Sequence, residues 1–154
     1  MDAVILGVQG LLAPLPLREK PAQNPDSISV LRAAIRDLSE VTPVVLLDSG
    51  PADDLESWAQ STGVAPLTVF RLWTGRLGGQ AKAPSRLPFR FVSRRLDIDC
   101  CQSLYVGCDD GTLEAARRSG CGTWDVRQQP DPGVPDEVVG VVEWLLESAP
   151  RQAE

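Results

Sequence analysis

One alternation constrains the fold of this chain more than any other feature. Short apolar runs, most of them closed by glycine or a polar residue, take turns with segments whose apolar residues recur at helical spacing. The runs fall at residues 4–6, 43–47, 67–72, 103–106 and, more briefly, 123–124. Runs of this length read as buried strands. Between them, Ile28, Leu31, Ile35 and Leu38 share one helical face, with Asp26 or Ser27 as the expected cap. Pro51 suits the first turn of a second helix, with Leu55, Trp58 and Ala59 inward and Gly63 as its stop. Further helices are predicted over 85–96, over 112–119 with a stop at Gly120, and from about Pro135, where Val138, Val142 and Leu145 align. Strands alternating with helices imply a parallel sheet covered on both faces.

The predicted fold class is therefore α/β, a Rossmann-like three-layer α/β/α sandwich with a mostly parallel sheet. One domain spans 1–148, and residues 149–154 form a tail expected to fray. In such sheets ligands bind beyond the carboxyl ends of the strands. That directs attention to residues 7–10, 48–50 and 107–112.

Several function classes drop out early. The chain has no histidine, which removes Ser-His-Asp and Cys-His devices. Its four cysteines, Cys100, Cys101, Cys108 and Cys121, contain no C-x-x-C pair, so a four-thiolate zinc site is not expected. They read as free thiols in a reducing compartment. A net charge of -6 argues against nucleic acid and against an anionic membrane surface. No apolar segment is long enough to span a bilayer, and residues 1–6 lack the basic start of a secretory signal, so a cytoplasmic location is expected.

Four segments, taken together and in order, resemble the haloacid dehalogenase (HAD) family. The longest runs Ser103-Leu104-Tyr105-Val106-Gly107-Cys108-Asp109-Asp110-Gly111-Thr112 into an alanine-rich helix closed by Gly120. It is similar to the family's strand, G-D-S/T-x-x-D and helix. Residues 74–84 resemble the glycine loop before the family's lysine, which falls on Lys82. Residues 3–12 resemble the opening D-x-D-G motif, and 44–50 the strand ending in a hydroxyl residue, here Asp48, or Ser49 with a shift of one.

The resemblance implies an aspartate nucleophile, an aspartate acid/base and acidic magnesium ligands. This sequence carries Gly7 and Gln9 at the first two positions, and Cys108 and Thr112 in the last motif. Glycine cannot form an aspartyl-phosphate, and glutamine cannot move a proton near neutral pH. A thiol and a neutral hydroxyl are poor magnesium ligands, so no cofactor is expected. The same nucleophile serves dehalogenation, which fails with it.

Other residues keep two readings open. Asp48, Asp109 and Asp110 could form a displaced acidic site, or the last two could cap the following helix, which is favoured. Lys82, with Ser49 and the backbone of Gly50, could hold a small anion, or the lysine could be solvated. Cys108 could be an activated thiol at a helix N-terminus, but is favoured as a small buried filler. The intervals between motifs are too short for a separate cap domain, so a capless member is expected. The apolar loop with Leu11, Leu12, Leu15 and Leu17 either folds back on the sheet or offers a contact for a partner or a second copy. Arg86, Arg90, Arg94 and Arg95 give a basic helix face, read as a solvated surface that only weakly suggests an acidic partner. The leading expectation is a pseudoenzyme used for binding, assembly or regulation. The alternative is a HAD-type, phosphatase-like hydrolase of altered chemistry, acting on an anionic, phosphorylated substrate through Lys82.

Overall fold

The computed structural model of the chain describes residues 1–8, 25–48, 52–73 and 86–148. They form five strands: β1 (Ala3–Gly7), β2 (Val44–Asp48), β3 (Phe70–Trp73), β4 (Ser103–Gly107) and β5 (Gly122–Asp125). The five α-helices are α1 (Pro25–Val41), α2 (Ala52–Thr62), α3 (Leu87–Leu96), α4 (Asp110–Arg118) and α5 (Asp136–Ser148). All strand pairs are parallel, in the order β3-β2-β1-β4-β5.

That order explains why the strands read as unbroken apolar runs. Every residue of β1, β2 and β4 is buried, because helices cover both faces. Successive side chains point to opposite faces. Val4 and Leu6 join Ile35 and Leu38 of α1, Leu55 and Trp58 of α2, and Val138 and Val142 of α5 in one core. Ala3, Ile5 and Tyr105 join Phe89 and Val92 of α3 and Leu113 and Ala116 of α4 in the other. This is the α/β/α layering. The chain moves outward from β1 through β2 to β3, then returns across the sheet to β4, so the direction reverses between β1 and β4. Such a reversal opens a crevice at the carboxyl edge.

Three boundaries differ from expectation. Residues 67–72 do not form one strand: a 3-10 turn occupies Ala65–Leu67, and β3 starts at Phe70. Pro66 is set for that turn, and the Thr68 hydroxyl donates to the Ala65 carbonyl at 3.0 Å, bending the chain before it pairs. Helix α1 starts at Pro25, so Asp26 and Ser27 lie inside its first turn instead of capping it. Proline's fixed φ suits the first helical position. Helix α4 starts at Asp110, two residues before the expected Thr112. Gly63 and Gly120, with φ of +79° and +87°, end α2 and α4 as expected.

Candidate active-site crevice

The carboxyl edge at the β1/β4 reversal is built from Gly7, Gly107, Cys108 and the start of α4. β1 and β4 pair in register through Ile5 with Tyr105, which puts Gly7, Tyr105 and Gly107 on one face. Tyr105 is 2% exposed, and its ring meets Phe89 edge-on with centroids 5.6 Å apart. Its hydroxyl lies under both glycines. A Cβ on Gly7 would sit 2.6 Å from the Tyr105 oxygen, and one on Gly107 only 2.5 Å away. Neither distance is tolerable, and the ring is held by packing. The slot for the phenol exists because both flanking positions are glycine. Burial raises the Tyr105 pKa far above its ordinary value, and the negative charge of Asp109 adds to this, while a side-chain hydrogen bond with Thr112 works the other way. The phenol is neutral at physiological pH.

Asp109 is the N-cap of α4. Its Oδ2 accepts from the backbone N–H of Thr112 at 2.9 Å and from the Thr112 hydroxyl at 2.5 Å. Asp110 follows in the first turn and pairs with Arg127. Arg127 also grips Asp125 at the end of β5, donating from Nε to Oδ1 and from Nη2 to Oδ2, both at 2.9 Å. This two-point pairing lowers the Asp125 pKa, with Arg127 as the chief cause. Sequence reasoning did not single out Tyr105, Asp125 or Arg127. The available signal was positional: Asp125 ends a strand at the same edge, with a basic residue two places on.

Cys108 corrects one expectation. It is half-buried, not a buried filler, because it leaves the strand at the open end of the sheet. Nor is it activated: burial raises its pKa first, Arg127 opposes this, and Asp125, Asp109 and Asp110 add to the rise. Asp48 ends β2 and is 3% exposed. Gln9, Ser49, Gly50, Lys82 and the loop leucines Leu11, Leu12, Leu15 and Leu17 lie outside the described residues.

No family model matches the sequence, and no curated protein matches it. Solved structures do. A D,D-heptose 1,7-bisphosphate phosphatase from B. bronchiseptica, complexed with magnesium and phosphate, is 22% identical, with 97% of this chain and all of that chain covered at a TM-score of 0.61. A HAD family hydrolase from Deinococcus radiodurans with bound phosphate and sodium is 13% identical, covering 93% of this chain and 87% of that one at 0.58. The chain has the HAD-like fold. A putative β-phosphoglucomutase from Thermotoga maritima, 11% identical, agrees over 96% of this chain and 97% of that one with a TM-score of 0.62. At these identities the likeness concerns the fold.

The HAD-like frame raises the question of magnesium. Among the described residues the crevice offers a neutral thiol on Cys108, a carboxylate already capping α4 on Asp109, and one already paired with Arg127 on Asp110. Magnesium prefers free hard oxygens in octahedral array. This donor set does not suit it, and among the described residues no three of Asp, Glu, Cys and His lie close enough to share an ion. Asp48, Asp109 and Asp110 therefore do not form a three-carboxylate cluster.

Proposed function

We propose that this chain is a HAD-like pseudoenzyme, a capless protein acting in binding, assembly or regulation and not in phosphoryl transfer. One observation carries the reading: the end of β1 bears Gly7, and the Tyr105 hydroxyl occupies the space where any side chain at that position would begin. A position without a side chain offers no carboxylate to attack phosphorus. The occupied state of Asp109 and Asp110 supports a protein that works without magnesium. Free thiols at all four cysteines support a reducing, cytoplasmic setting, and among the described residues no helix is long and apolar enough to cross a membrane. In this reading the crevice takes at most a small anion beside Lys82, Ser49 and Gly50. The leucine loop at 11–17 is the contact for a partner or a second copy, and neither nucleic acid nor membrane is a partner.

The test is hydrolysis of p-nitrophenyl phosphate with magnesium by the purified chain. No turnover above buffer is expected. Clear turnover that Lys82→Ala abolishes overturns the reading in favour of a HAD-type hydrolase of altered chemistry.

A further inference from the structure

A second feature lies away from the crevice. α3, the last turn of α4 and the 3-10 turn before β4 border a groove of about 400 Å³, lined by Arg86, Arg90, Arg94, Arg118, Asp99 and Cys100 among others. Asp99 and Cys100 precede β4, and Arg118 closes α4 just before β5. This part of the groove therefore lies at the edge where strands start, opposite Gly7 and Gly107.

Arg86, Arg90 and Arg94 follow one another at intervals of four, so they form a row along one helical face with a rise of about 6 Å between neighbours. Arg86 donates from Nη1 to the Arg118 carbonyl at 3.5 Å, which closes one end. Among the described residues no ion pair holds Arg86, Arg90 or Arg94, whereas Glu114 pairs with Arg118 at 3.2 Å. Asp99 is the one acid in the lining, with Oδ1 accepting from the Cys101 backbone N–H at 2.9 Å, and the three arginines without an ion pair outnumber it. A chain of net charge -6 thus concentrates unpaired positive charge in one concave place, where low-dielectric walls focus the field.

We propose that this groove docks an acidic segment of a partner protein in extended conformation. In an extended chain, alternate side chains lie about 6.6 Å apart on one side, close to the arginine row. Guanidinium groups pair with carboxylates in a two-point fork. A short segment feels the local field, because charges beyond about 10 Å are screened. The inference goes beyond the crevice reading and does not depend on it, since none of the residues lining the groove lines the crevice.

The test uses the full chain and a fluorescein-labelled peptide with glutamate at every second position, followed by anisotropy. Saturable binding is expected that weakens with salt and falls about tenfold or more in Arg90→Glu/Arg94→Glu, while Arg36→Glu on the exposed face of α1 leaves it unchanged. A peptide of the same composition with its glutamates in one block should bind more weakly. Circular dichroism checks that the variants fold. The proposal is overturned by absent binding, by an equal loss in Arg36→Glu, or by equal affinity for the block peptide. It is also overturned if tripolyphosphate or single-stranded DNA binds more tightly than the alternating peptide.

Discussion

Tyr105 and Gly7 are ninety-eight positions apart in the chain, yet each sets what the other can be. The phenol oxygen fits only beneath residues without a Cβ. A methyl group at position 7 must therefore push against a ring that Phe89 and the α3/α4 core hold in place. Gly7→Ala is expected to destabilise the protein by about 1–3 kcal/mol in urea unfolding. In a Tyr105→Phe background the obstructing oxygen is gone, and most of that cost should vanish, giving a clear coupling between the two changes. Strict additivity would mean that the ring yields freely. By the same geometry, Gly7→Asp alone restores an acid in sequence but not in place.

At the scale of elements, the start of α4 decides how the acidic residues of the last motif are used. Asp109 satisfies the Thr112 N–H, one of the donors that a helix N-terminus leaves without an intrahelical partner. Asp109→Ala should cost about 1 kcal/mol in thermal or chemical unfolding, while Asp109→Ser should cost much less, because serine can also cap. An equal loss in both would point to a role for the carboxylate charge beyond capping. The cap was legible in advance, since an acid just before an alanine-rich helix has few other uses. So was the inward face of α2, where Leu55, Trp58 and Ala59 are buried as their spacing requires. The start of β3 was not: Leu67 is as apolar as a strand residue, and only the turn at Pro66 takes it out of the sheet. Nor was the role of Arg127, which depends on β5 ending beside α4 and not on anything adjacent in sequence.

For the whole molecule, two buried groups tie stability to alkaline pH. Tyr105 and Cys121 both have raised pKa values, with burial as the largest cause in each. A group whose folded pKa exceeds its unfolded value contributes stability below the unfolded value and loses it as pH climbs toward the folded one. Unfolded thiols and phenols titrate near about 8.5 and 10. The Tm should therefore hold steady around neutrality and fall from about pH 8.5 upward, more steeply beyond about 10, and Tyr105→Phe should make the fall shallower. A Tm unchanged far into alkali would show that neither group is buried as described.

The order of elements, the α/β class and the absence of a carboxylate at position 7 are properties of the sequence itself. Periodicity and composition act within a turn or a strand, and they can be read from neighbours. The strand order, the phenol beneath two glycines, the Arg127 bridge and the arginine groove came only with the tertiary structure. Each is a meeting of residues from separate elements. Such meetings are set by which strands pair and which face each helix covers, because burial of the two apolar cores, and not local preference, chooses among the possible arrangements.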